Sequence, residues 1–218
     1  FDDLSSLKNC VMNALRNCEE NSNLLGWVRA SDAIGDFTYP YVLENQEFCM
    51  EYISTTVIKY TKKLYIRMLA DGIQYYTDRY SWNAGGTITK SLKNKNQLIV
   101  DEFSDGAFQA YTVRLEEASQ KGKIYIIDAE FFIDGCNYVE HQYLGLTNSF
   151  PVRNLTLCVR VANNLKLLEC KYNMYGHSVD RVPKISKVIK PKSGIIEHTF
   201  KNLVIGERYN LEWRVVKK

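Results

Sequence analysis

The alternation of apolar and polar positions is the strongest signal along this chain. Between Leu64 and Leu146 it reads as extended segments of period two, broken at Asp71-Gly72, Asp105-Gly106 and Asp134-Gly135. Asp-Gly between alternating runs signals a hairpin, because glycine takes φ > 0 without steric cost and aspartate tolerates the turn. The pattern predicts strands over residues 64–69, 73–78, 87–92, 97–103, 107–115, 123–133 and 137–146. Joined in order these make an antiparallel meander, and closing it into a barrel would remove its exposed edges.

Upstream the period changes. Leu4, Leu7, Val11, Ala14, Leu15 and Cys18 recur at spacings of three and four, which predicts an N-terminal helix. Residues 24–29 and 37–43 read as strands, the second confined by Pro40 to an edge or bulge. Residues 45–70 carry both patterns. Met50, Ile53, Val57 and Tyr60 fit a helical stripe that Gly72 would cap. The run Ser54-Thr55-Thr56-Val57-Ile58 favours strand instead. The fold class is therefore mainly β, with an N-terminal helix, an antiparallel meander or barrel and a smaller C-terminal β module. The alternative is α+β, with a long helix over 45–70 on an antiparallel sheet.

Charge divides the chain. Residues 1–149 hold 14 Lys+Arg against 20 Asp+Glu, a net −6, whereas residues 150–218 hold 14 against 5, a net +9. The split suggests a module over 1–149 and a basic β module, hairpin or sandwich-like, over 150–218. In the second, strands over 154–161 and 165–172 flank Ala162-Asn163-Asn164. A three-residue loop at 163–165 would set Cys158 opposite Cys170. Opposed residues approach to ~4.5–5.5 Å, so a Cys158–Cys170 disulfide is predicted. The connectivity of Cys10, Cys18, Cys49 and Cys136 does not follow from their spacing. Lys184, Lys187 and Lys190 recur every third residue between Pro183 and Pro191, a spacing that would line one edge of a polyproline II segment. With Lys192 they form the predicted polyanion-binding site. Residues 194–199 and 208–216 read as closing strands.

Six scattered cysteines without a C-x-x-C pair argue for disulfides in an oxidising compartment over a metal site. The chain opens on Phe1 rather than Met, which fits a mature form after removal of a signal peptide. Asn154-Leu155-Thr156 is a glycosylation sequon. No run of 18 apolar residues predicts a membrane span. Together these features predict a secreted, extracellular glycoprotein.

The common nucleophile, zinc and phosphate motifs are missing, and His141, His177 and His198 stand alone in the sequence. Glu140 and His141 point to opposite faces of their expected strand, and Asp128 and Glu130 share a face of the kind that is usually solvated. No catalytic residue, metal ligand or cofactor is assigned, and the protein reads as a non-enzyme. Its 15 Tyr, 9 Phe and 3 Trp concentrate in the meander. Such aromatics pack ordinary cores, but inside a barrel they would line a cavity. Trp27, Tyr75, Tyr111, Tyr125 and Tyr138 are the candidate ligand-binding residues. One function is a carrier or scavenger of a small apolar ligand. The other is a binding module whose basic C-terminal region takes an acidic protein or glycosaminoglycan surface. No nucleic-acid motif is present.

Two stretches resemble known families. Residues 203–209, Leu-Val-Ile-Gly-Glu-Arg-Tyr, resemble the tyrosine corner of fibronectin type III domains, with Ile205 where a proline is usual. The resemblance implies a sandwich strand beginning near Tyr209. Residues 4–147 are similar in layout to lipocalins: a short helix, then Gly26-Trp27, then an up-and-down meander. The lipocalin Gly and Trp are separated by one residue, whereas here they are adjacent. That resemblance implies a β cavity for a small ligand.

Overall fold

Strands β1 (Tyr41–Tyr52) and β2 (Val57–Met68) occupy the stretch where the two periodicities overlap. In the computed structural model, which describes residues 39–137, 141–177 and 180–218, they form an antiparallel hairpin with Tyr52 opposite Ile58. This overturns the long helix over 45–70. Every second residue of β2 from Ile58 to Met68 is buried and the others are not, the period of a half-buried strand. At the turn, Ser54 Oγ accepts the N–H groups of Thr56 and Val57 at 3.2 and 3.1 Å. Such local bonding competes with helix formation.

The chain continues through β3 (Tyr75–Ser81), β4 (Thr87–Leu92), β5 (Leu98–Asp105), β6 (Phe108–Arg114), β7 (Ile124–Asp134) and β8 (His141–Thr147). It ends with β9 (Val152–Val161), β10 (Leu165–Tyr175), β11 (Ile185–Val188), β12 (Ile195–Lys201) and β13 (Arg208–Lys217). These strands form three sheets, ordered β12-β9-β1-β2-β7-β4, β11-β10-β13-β8 and β3-β6-β5. All neighbours are antiparallel except β1 and β9, which run parallel.

The three Asp-Gly pairs all turn the chain, with Gly72, Gly106 and Gly135 at φ 81°, 57° and 71°. Asp105-Gly106 is the hairpin among them, with Asp105 opposite Phe108. Asp71-Gly72 instead carries the chain from the six-stranded sheet to the three-stranded one, where Gly72 N–H donates to Ser119 O at 2.8 Å. Asp134-Gly135 ends β7, and the next strand belongs to the four-stranded sheet. The meander and the barrel therefore give way to three open sheets, because two of the turns are corners. The six-stranded sheet takes strands from both sides of residue 150. The expected N-terminal helix, the strand over 24–29, Trp27, Tyr138 and Glu140 lie outside the described residues.

One face of the six-stranded sheet is packed. Ring contacts join it to the three-stranded sheet, Tyr80 and Tyr111 lying 4.9 and 5.7 Å from Phe131. Others join it to the four-stranded sheet, Tyr52 on Trp213 and Phe200 on Tyr209. The opposite face is open, as antiparallel sheets allow, and sets exposed Ile124, Ile126 and Phe132 of β7 beside its charged side chains. Among the described residues no helix is long and apolar enough to cross a membrane.

Candidate functional site

Of the predicted aromatic residues, the described ones, Tyr75, Tyr111 and Tyr125, lie apart from one another on β3, β6 and β7. Tyr111 on β6 is 1% exposed, and its hydroxyl donates to Asp78 Oδ2 at 2.7 Å. Asp78 Oδ1 holds the Lys62 ammonium at 2.7 Å. Lys62 also donates to Arg79 O at 3.0 Å and lies 4.8 Å from the centre of the Phe48 ring. Around this network the rings of Tyr60, Tyr80, Tyr111 and Phe131 pack against one another. Burial, and then the Asp78 charge, push the hydroxyls of Tyr60, Tyr76 and Tyr111 well above the ordinary tyrosine range. The site is a filled core with a satisfied polar centre. Tyr125 is buried on β7, where its hydroxyl accepts Gln120 N–H at 3.1 Å. Tyr75 is exposed on β3.

The basic residues fall on an edge. Ile185–Val188 pairs with β10 as the outer strand of its sheet, so the polyproline II reading is corrected: Tyr172 lies opposite Lys187. Of the four lysines Lys187 alone lies within this strand, whereas Lys184 precedes it and Lys190 and Lys192 follow it. Lys184 pairs with Glu207. Lys187, Lys190 and Lys192 are exposed, and among the described residues no carboxylate pairs with them. Val182 and Val188 beside them are 80% and 81% exposed. Nearby, the His198 imidazole stacks on Tyr172 with centroids 3.8 Å apart. Burial, and then Lys187, hold His198 below the usual histidine range. Beside Lys184, the Tyr209 hydroxyl accepts Val204 N–H at 2.9 Å and donates to Glu207 Oε2 at 2.7 Å.

The hairpin that would set Cys158 opposite Cys170 does not form. Both edges of β9 are filled, by β1 and β12, so β10 turns the corner at Ala162 and enters another sheet. Cys170 follows Glu169, which has φ 52°, in an irregularity of β10, and its thiol donates to Leu168 O at 3.4 Å. Cys158 instead lies beside Cys49, its register partner on β1. Asn154 occupies an interior strand, half-buried, and donates to Glu44 O at 3.3 Å.

These two cysteines sit in a groove of about 570 Å³ on the open face of the six-stranded sheet. Strand register arranges that face in rows. Glu197, Cys158, Cys49, Thr61 and Glu130 follow one another across five strands. One flanking row carries Thr156, Glu47, Lys63 and Asp128, and the other Arg160, Glu51 and Lys59. Interaction with the other thiol, and then burial, raises Cys49, while the same interaction, assisted by Arg160 against burial, lowers Cys158. Sequence reasoning missed this pair, because no local spacing links β1 to a parallel neighbour so far along the chain. A second groove, of about 470 Å³, is lined by His141, Tyr143, Lys171 and Trp213 among others. Tyr75, Tyr111 and Tyr125 line neither groove. Among the described residues no cluster of three or more His, Cys, Asp or Glu is placed to hold a metal ion.

No family model and no curated protein matches the sequence. Among solved structures the chain is similar to an M1 zinc metallopeptidase from Deinococcus radiodurans, at 10% identity and a TM-score of 0.43, over 81% of this chain and 43% of that one. A point mutant of the same enzyme gives 8% identity and a TM-score of 0.42, over 79% and 42%. The chain thus spans less than half the length of these proteins.

Proposed function

We propose that the protein is a secreted binding protein that acts without catalysis and takes a polyanionic surface along the basic edge of its four-stranded sheet. The supporting observation is the edge strand β11 and its flank, where Lys187, Lys190 and Lys192 are exposed without an acidic partner among the described residues. Unpaired ammonium groups on a sheet edge leave their field to act on an incoming anion. Lys184 is already paired with Glu207 and contributes less. The alternative, a carrier of a small apolar ligand, has weaker support, since Tyr111 and Tyr125 are buried with their hydroxyls bonded within the protein.

Heparin is the probe for this reading. The protein is expected to be retained at low salt and released as salt screens the contact. Lys187, Lys190 and Lys192→Ala together should lower the eluting salt concentration clearly, and Lys184→Ala should lower it less. Retention unchanged by the triple substitution would remove this edge as the binding surface.

A further inference from the structure

Cys49 and Cys158 come from distant parts of the chain and meet as register partners on adjacent strands. Neighbouring strands lie ~4.8 Å apart, inside the Cα separation a disulfide requires. Arg160, two residues further along β9, shares the face of Cys158 and lines the same groove. Both residues line the open groove, where Cys49 is half-buried and Cys158 is 4% exposed. The other two described cysteines, Cys136 and Cys170, line neither groove. The groove walls carry both signs of charge, with Lys59, Lys63 and Arg160 among Glu47, Glu51 and Glu197. A ligand bearing both ammonium and carboxylate groups complements such walls.

We propose that Cys49 and Cys158 form a reversible dithiol–disulfide centre that exchanges with a small zwitterionic peptide disulfide bound in this groove. The Cys158 thiolate attacks one sulfur of the incoming disulfide. That S–S bond breaks, and one small thiolate leaves with its electron pair and takes a proton from water. Cys49 loses its proton to solvent, and its sulfur attacks Cys158 Sγ in the mixed disulfide. The second small thiolate leaves and is protonated. The protein gives up two electrons and two protons, and the incoming disulfide becomes two thiols. The inference is independent of the basic edge on the other sheet.

The test equilibrates the full chain with graded ratios of reduced and oxidised glutathione, blocks free thiols by alkylation, and maps tryptic peptides without reduction. The four described cysteines fall on separate tryptic peptides, residues 30–59, 124–153, 154–160 and 167–171. In oxidising mixtures peptide 30–59 should be joined to peptide 154–160, and in reducing mixtures both should be alkylated. Cys49→Ser should trap Cys158 as a mixed disulfide with glutathione. Arg160→Gln should slow formation of that adduct roughly three- to tenfold, as the thiolate loses its neighbouring cation. Three results would overturn the proposal: Cys158 linked to another cysteine, both thiols alkylated in the most oxidising mixture, or a link that survives the most reducing one. The wild-type map decides the pairing even where a variant fails to fold.

Discussion

Lys59 and Lys62 lie three residues apart on β2, and each meets a carboxylate oxygen at 2.7 Å. Lys59 faces the open side of the sheet, where its side chain and that of Glu130 are 35% and 28% exposed. Lys62 faces the packed side, where it and Asp78 are 5% and 9% exposed. Water screens the first pair and competes for its hydrogen bonds, so such pairs contribute about 0–1 kcal/mol. The second pair has lost its water and relies on Tyr111, Arg79 O and the Phe48 ring to satisfy what the ion pair leaves over. Equal distances therefore conceal unequal roles. On the open face charge is exchangeable decoration around a reactive pair of thiols. On the packed face it is a fixed joint between two sheets.

The strongest break in this contrast is Asp78→Ala. It strands a buried ammonium and should cost about 3–5 kcal/mol in urea unfolding. Replacing the network together, Lys62→Met with Asp78→Leu and Tyr111→Phe, should recover most of that loss, since apolar groups of similar size replace buried ion pairs at little cost. A triple variant as unstable as the single one would show that the joint needs its polar geometry. Tyr111→Phe alone leaves Asp78 Oδ2 short of a donor and should cost about 1–3 kcal/mol by the same measurement. Glu130→Ala on the open face should cost under about 1 kcal/mol. A loss as large as that of Asp78→Ala would erase the difference between the faces.

The smallest effect concerns His198, which faces Tyr172, Phe200 and Lys187. Its folded pKa is depressed, so the unfolded chain takes up the proton first. The stability it contributes is complete above the unfolded value of about 6.5 and is lost as pH falls from there through the folded value. Across that window, from neutral to low pH, the urea midpoint of the wild type should fall relative to that of His198→Phe, whose ring does not titrate. Parallel curves would show that the ring titrates alike in both states.

Much of the strand layout is legible in the sequence. The alternation at Thr87–Leu92 marks β4 with its observed bounds, and that of residues 123–133 marks β7 to within a residue. Turns are legible for the same local reason, since an Asp-Gly pair settles its own backbone. Pairing is not legible, because it depends on which edges are free. Asp71-Gly72 looks the same whether the next strand folds back on β2 or crosses to another sheet. Cys158 looked likewise as though it belonged opposite Cys170 until both edges of β9 were filled. Lys62 was the one available hint of the buried joint: it sits in phase with Ile58, Tyr60, Leu64 and Ile66, where a lysine is out of place unless something meets it.

The parallel contact between β1 and β9 also sets a schedule for the nascent chain. On the ribosome the roughly one hundred residues from Tyr52 to Val152 take about 5–20 s to synthesise, whereas a hairpin closes in about 1–10 μs. The β1–β2 hairpin can thus form long before its outer neighbour exists, with one edge of β1 left unclaimed. Glu47 and Glu51 lie along that waiting strand. Their repulsion between copies discourages one unfinished chain from pairing with another, so carboxylates that line a groove in the finished fold guard the chain during its synthesis.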